Sequence, residues 1–398
     1  MSERCHARAP AKHSIRNYLA SAKQKVERGS FPPHGRHHTI DRSNRVFYSP
    51  GGKALINDPE TLTGVVLNGA HGIYDVHTDI GVLRCTLRGK LKKAFAQAQF
   101  PKSVSKARPR YDKTLASPKT QRIEHRDTDA NPLPVRLSVG DYVKLRRLDD
   151  NTGMIEEILP RQSSLSRKDA ASTSKRAMEQ TMLANLDQVV LAFATTHPEP
   201  HFGMLDRYLA ICESAEIRPI ICLNKVDLPH EQYVDEAADL YSRLGYIVIW
   251  TSPKTGQGIE TLNSLLREHT TLFSGPSGVG KSSLVNAIEP GMAIKTGLVS
   301  DATGKGRHTT TGSQLYQLSG GGWLADSAGI RALATWNIPP EDLAWCFVEF
   351  RPYLGECLYS DCMHIEEDGC AIRQAVDDKV IDERRYKSYV RIILGEER

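Results

Sequence analysis

The stretch Gly275-Pro-Ser-Gly-Val-Gly-Lys-Ser282 constrains this chain more than any other. It fits G-x-x-x-x-G-K-[ST], the phosphate-binding P-loop. Thr271-Leu-Phe before it reads as a short apolar strand, and Ser283-Leu-Val-Asn-Ala-Ile after it has helical character. A P-loop needs that strand–loop–helix context: glycines turn backbone N–H groups inward, and the helix start adds partial positive charge. Gly275, Pro276, Ser277, Gly278, Val279, Gly280, Lys281 and Ser282 are therefore expected to cradle phosphates. Lys281 would reach the β- and γ-phosphates, and Ser282 would hold Mg²⁺. A plain glycine-rich turn is the ordinary alternative, and the full match in context argues against it.

The surrounding chain alternates strands and helices. Val189–Ala194, Pro219–Leu223 and Tyr246–Trp250 are apolar strands, with helical spacing over Gly203–Ala215 and roughly 231–244. That alternation predicts a parallel, helix-covered sheet. The second strand ends at Asn224-Lys225-Val226-Asp227, at the strand end where parallel sheets bind ligands. A carboxylate there accepts two hydrogen bonds from the N1–H and N2–H₂ edge of guanine, which adenine does not offer. Four residues alone match many polar loops, but a P-loop in the same domain gives this one weight. Thr251 and Ser252, after the next strand, are positioned to close over the base edge. Further on, Gly306-Arg-His-Thr-Thr-Thr311 offers His308, Thr309 and Thr310, and Asp326-Ser-Ala-Gly329 follows the strand Gly322–Ala325. A threonine hydroxyl completes Mg²⁺ coordination in such sites, while Asp326 holds a Mg²⁺ water and Gly329 senses γ-phosphate.

A length of 398 residues suggests more than one domain. Short strands are expected at Leu62–Leu67, Gly72–Val76, Gly81–Leu87, Val139–Leu145 and Gly153–Leu159. An OB-fold is the leading reading, although other small barrels fit the pattern equally. The net charge of +5 is unevenly spread: residues 1–60 hold 11 Lys/Arg against 5 Asp/Glu, and residues 88–136 hold 13 against 4. Such segments suit a polyanion, either nucleic acid or a membrane surface, or are simply solvated tails. His34–His38 reads as a solvated loop. Without an apolar run of spanning length or a secretory core, the expected location is cytoplasmic, with no membrane partner.

Cysteine use supports that setting. Cys357-x4-Cys362-x-His364-x5-Cys370 supplies three thiolates and an imidazole, a set suited to one closed, structural, tetrahedral Zn²⁺ site. Three unligated cysteines in a helical region would be the plainer reading. Helix is expected from Ala371 to Leu394.

The order of the nucleotide motifs is unusual. N-K-x-D precedes the P-loop, and the threonine-rich and D-x-x-G loops come last, as a circular permutation of a Ras-like GTPase would arrange them. The chain resembles the circularly permuted, ribosome small-subunit-dependent GTPases of the RsgA/YjeQ family over roughly residues 62–390. The resemblance implies an N-terminal OB-fold, GTP hydrolysis stimulated by the small subunit, and a role in its late maturation. It departs at Ala328, where the family usually has Pro, and its extension at 1–60 and insertion at 88–136 are longer than usual. The expected fold is therefore multidomain: basic extension 1–60, OB-fold barrel 61–160 interrupted at 88–136, linker 161–176, permuted α/β GTPase domain 177–335 and zinc-binding C-terminal module 336–398.

Ile330 follows Gly329, where Ras-like enzymes carry a water-orienting Gln. His308 is the candidate catalytic residue in its place, and slow intrinsic hydrolysis is expected; a solvent- or RNA-facing His is the alternative. The leading function is a monomeric GTPase binding GTP/GDP, the small ribosomal subunit and its rRNA. The rivals are an RNA-binding assembly protein for which GTP is only a regulatory ligand, and a membrane-surface regulator resting on the basic segments alone.

Overall fold

The computed structural model describes residues 61–99, 136–168, 179–292, 314–325 and 338–396, all within one compact unit, Pro59–Arg398. The expectations for 1–60, for 100–135 and for His308, Thr309, Thr310, Asp326 and Gly329 lie outside the described residues.

Five strands form the first element group: β1 (Thr61–Ala70), β2 (Ile73–Thr78), β3 (Gly81–Leu87), β4 (Tyr142–Arg147) and β5 (Thr152–Ile158). In β3, Leu83, Cys85 and Leu87 point inward while Val82, Arg84 and Thr86 face outward, the alternation of a half-buried strand. The strands close into a barrel in the order β1-β2-β3-β5-β4. Only β3 and β5 run parallel. This is the five-stranded barrel anticipated from the strand spacing. Its interior holds Val66, Val76, Leu83, Cys85, Val143, Leu145 and Ile155.

Two stretches differ from their expected character. The insertion opens as helix α1 (Gly89–Gln99), and Leu91 and Phe95, one turn apart, pack against the barrel interior. Within the expected linker, β6 (Ser164–Lys168) pairs antiparallel with β7 (Glu179–Ala184), bringing buried Leu165 opposite buried Leu183. The polar composition around Leu165 hid that strand. Just before it, the Arg161 guanidinium grips the buried Asp141 carboxylate at 2.7 and 2.8 Å. The chain leaving the barrel is thereby pinned.

The sheet domain contains β8 (Gln188–Ala194), α2 (Phe202–Ser214), β9 (Arg218–Asn224), α3 (Gln232–Arg243), β10 (Ile247–Thr251), α4 (Ile259–Leu266), β11 (Thr270–Ser274), α5 (Lys281–Ile288), β12 (Leu315–Gln317) and β13 (Trp323–Ala325). The sheet runs β10-β9-β8-β11-β13-β12, parallel throughout except for β12. Every residue of β8 is buried, as a central strand covered on both faces requires. Leu205, Leu209, Val234 and Tyr241 of α2 and α3 cover one face. Leu262 and Leu266 of α4, with Leu284, Val285 and Ile288 of α5, cover the other.

The C-terminal module contains α6 (Pro340–Leu343), α7 (Ala371–Asp377) and α8 (Glu383–Leu394). The single helix expected over Ala371–Leu394 is thus two. Lys379 adopts φ 60°, and the Asp382 carboxylate starts α8 by accepting the Arg384 N–H at 2.9 Å. Phe347, Phe350 and Tyr389 form the module's aromatic centre.

Arg385 of α8 joins this module to the sheet domain. It is 1% exposed, and it meets Asp206 of α2 at 2.6 Å and Glu349 at 2.6 and 3.2 Å. Its guanidinium lies 4.5 Å from the Phe347 ring centroid. Tyr241 donates its hydroxyl to the same Asp206 at 2.6 Å.

Candidate nucleotide site and metal centre

Three loops converge at the carboxyl ends of β11, β9 and β10. The first, between β11 and α5, turns on glycines. Gly275 has φ 142°, and a Cβ there would meet the Ala192 carbonyl oxygen at 2.0 Å. Gly280 has φ 96° and lies against Asn224. Helix α5 begins at Lys281 with no side-chain cap, so its first N–H groups face the loop as an anion site. The Lys281 ammonium donates to the carbonyls of Gly275 and Pro276 at 2.8 and 2.6 Å. Ser277 and Gly278 at the loop crest are exposed.

The second loop reads across to the first. Asn224 donates from Nδ2 to the Val279 carbonyl at 2.8 Å. Lys225, at φ 67°, donates from Nζ to the Gly278 carbonyl at 2.7 Å and also to the His197 carbonyl. The Val226 N–H bonds to the Thr251 carbonyl at 3.3 Å. Thr251 is buried and donates to Asn224 Oδ1 at 3.2 Å. Ser252 donates to Asp227 Oδ1 at 2.7 Å, and Lys254 lies 3.6 Å from Oδ2. The Ser252 hydroxyl and the Lys254 ammonium hold the Asp227 carboxyl below the usual carboxylate range. It therefore stays an acceptor-only anion, the form that pairs with two N–H donors. The residues Asn224 to Asp227, Thr251, Ser252 and Gly275 to Ser282 are thus brought to one place.

The loop after β8 belongs to this site and was missed from sequence. The Thr195 N–H bonds to the Asn224 carbonyl at 2.8 Å, and its hydroxyl bonds to the Lys225 carbonyl at 3.2 Å. With His197 on Lys225, it braces the N-K-x-D loop from behind. The available signal was its position at the carboxyl end of a central parallel strand.

In the C-terminal module, ligand atoms of Cys357, Cys362, His364 and Cys370 all lie within 4.8 Å of one another. Ideal tetrahedral zinc puts two sulfurs about 3.8 Å apart, and sulfur and imidazole nitrogen about 3.6 Å apart. Cys357 and Cys370 sulfurs are 3.9 Å apart, and each is 3.5 Å from His364 Nδ1. The residues fit one zinc ion. Burial pushes the Cys362 thiol up to about 12, and it raises Cys370 against the N–H of Arg373 at the start of α7. Burial lowers His364. A cation offsets the desolvation that keeps these thiols neutral, which is how zinc holds them as thiolates. With four protein donors, a zinc ion held there would have a closed coordination shell, the arrangement of structural rather than catalytic sites.

Among the described residues, no helix is long and apolar enough to cross a membrane. The RsgA GTPase family matches residues 158–336. A small ribosomal subunit biogenesis GTPase RsgA from Gemmatimonas aurantiaca is 38% identical over 338 residues, covering 83% of this chain and 96% of the relative. One from Caldanaerobacter subterraneus is 33% identical, covering 84% and 95%. The crystal structure of YjeQ from Thermotoga maritima superposes with a TM-score of 0.61 at 28% identity, over 84% of this chain and 98% of that one. YloQ, a circularly permuted GTPase, gives 0.58 at 25% identity, over 90% and 97%. A permuted order of motifs along the sheet, direct hydrogen bonds between N-K-x-D and the P-loop, and relatives matched over nearly their whole length lead to one conclusion: the chain belongs to the RsgA GTPase family.

Proposed function

We propose that this chain hydrolyses GTP to GDP and phosphate while bound to the small ribosomal subunit, and that it acts in the late maturation of that subunit. One observation carries the nucleotide half of this reading. Asn224 and Lys225 are hydrogen-bonded to the P-loop carbonyls of Val279 and Gly278, which supports reading the two loops as one nucleotide site. The partner half is supported by the relatives, whose names assign them to small-subunit biogenesis.

In this reading Asp227 pairs with the guanine edge while Thr251 and Ser252 flank the base. Gly275 to Ser282 hold the phosphates. Ser282, with Thr309 or Thr310, binds the Mg²⁺ that accompanies GTP, and Asp326 and Gly329 answer to the γ-phosphate. Ile330 has no polar atom to orient water, so His308 takes that task when the chain is bound to the subunit. The barrel and the zinc module serve as rRNA-facing domains flanking the GTPase domain at 177–335, in a cytoplasmic monomer.

The experiment is GTP turnover with and without purified small subunits. Turnover is expected to rise when subunits are added. An unchanged rate would leave an RNA-binding protein with incidental hydrolysis. In the same assay His308→Ala is expected to bind GTP as the parent does and to lose most of the stimulated rate. Matching loss of binding would make His308 a structural residue.

A further inference from the structure

Glu367 lies between the ligands His364 and Cys370 but is not one of the four converging donors. Its carboxylate turns back onto the backbone of its own loop. Oε1 accepts the Met363 N–H at 2.7 Å, and Oε2 accepts the N–H groups of Ile365 and Glu366 at 2.8 and 3.1 Å. These three donors bracket His364, whose φ of 61° is left-handed and uncommon for a residue with a side chain. Such a conformation persists where the surroundings over-determine it. The Glu367 carbonyl in turn accepts from Arg373 Nη1 at 3.1 Å. Arg373 lies in α7, which starts directly after Cys370.

We propose that Glu367 is a positioning residue for the metal centre: it clamps the peptide groups on both sides of His364 and so holds Nδ1 at 3.5 Å from two cysteine sulfurs. The proposal rests on the reading of this cluster as a zinc site. Bonds from N–H groups to an ionised carboxylate are stronger than neutral ones. Tyr389 and Tyr386 brace the same loop from outside, donating to the carbonyls of Met363 and His364 at 2.7 and 2.9 Å. Carboxylate and tyrosines together satisfy both faces of the loop. Loss of the carboxylate frees three N–H groups and lets His364 swing away from the sulfurs. Partners behind a metal ligand typically change metal affinity about 10–100-fold.

The test uses the full-length protein, loaded with zinc and challenged with the chelating dye 4-(2-pyridylazo)resorcinol. Glu367→Ala is expected to release zinc about 10–100-fold faster than the parent. The Co²⁺-substituted form should show shifted ligand-field bands, because His364 no longer meets the ion in the same geometry. Glu367→Gln keeps one acceptor oxygen and should fall between the two; it carries the comparison if the alanine variant does not fold. Glu366→Ala removes the same charge from the exposed neighbouring side chain and should behave as the parent. Parent-like release and Co²⁺ spectra in Glu367→Ala, or equal acceleration in Glu366→Ala, would overturn the positioning role. A parent protein that binds no zinc would instead overturn the metal-centre reading beneath it.

Discussion

Gly280 leaves the space that Asn224 occupies: a Cβ on it would come within 2.4 Å of Asn224 Nδ2, at a φ of 96° that already disfavours any side chain. Gly280→Ala should push Asn224 off the Val279 carbonyl and weaken GTP binding at least about tenfold, roughly 1.4 kcal/mol. Titration with a fluorescent GTP analogue checks this, and parent-like affinity would mean that the Asn224 contact does not shape the pocket. Asp227→Asn removes an acceptor for two guanine N–H groups and should cost about 2–4 kcal/mol in GTP binding, with xanthine nucleotides competing better. Equal GTP affinity would dismiss Asp227 as base reader. Because the folded-state value of Asp227 is depressed, its contribution is present above the ordinary aspartate range and fades only as pH falls through the lower folded value. At the metal centre the direction is opposite, since Cys362 and Cys370 are raised. Zinc binding near neutral pH should therefore release at least about two protons, and affinity should fall as pH falls. Calorimetry in buffers of different ionisation enthalpy measures that release; none would mean the thiols were already ionised. Residues acting through side-chain chemistry at fixed spacing, such as Lys281, Asp227 and the cysteines, were legible in the sequence. Thr195, His197 and Glu367 were not: Thr195 and Glu367 bond to backbone groups, and His197 acts through its own carbonyl on Lys225, so none leaves a residue-type signature.

Helix α2 has two roles. It covers the sheet face with Leu205 and Leu209, and it presents Asp206 to Arg385 of the zinc module at 2.6 Å. Arg385→Ala would leave the carboxylates of Asp206 and Glu349, only 3% and 7% exposed, without their cation. A loss of about 3–5 kcal/mol follows from stranding buried charge. Chemical denaturation of the zinc-loaded protein reads it, and a change below about 1 kcal/mol would place the pair among weak surface bridges. The parallel strands were legible because their apolar runs are continuous, as in β8. The short β12 was not, since three residues carry no periodicity. The interruption between α7 and α8 was hidden because Lys379 and Asp382 are ordinary helix-surface residues until their turn geometry is seen.

For the whole molecule, the segment open to exchange is residues 100–135, since Leu91 and Phe95 of α1 belong to the barrel. That segment carries 8 Lys/Arg against 4 Asp/Glu. Replacing it with a short Gly/Ser loop should lower affinity for small subunits and flatten the dependence on salt, because each cation taken away from a phosphate removes its counterion release. GTP affinity should not change. Parent-like subunit affinity and salt dependence would make the segment a solvated loop. The permutation itself was legible as motif order, but the position of each strand in the sheet was not. That position has a consequence for synthesis. β9 and β10 lie on one side of β8, and β11 takes the other. Residues 195–269 must be translated after β8 and before β11, an interval of about 4–15 s at about 5–20 residues per second. By the end of that interval the nascent chain holds the N-K-x-D half of the site, while β8, buried along its whole length in the finished fold, still lacks its β11 neighbour and offers an open edge. The phosphate loop arrives only with the strand that seals the edge, so capture of GTP by a nascent chain marks the moment at which that aggregation-prone edge is covered.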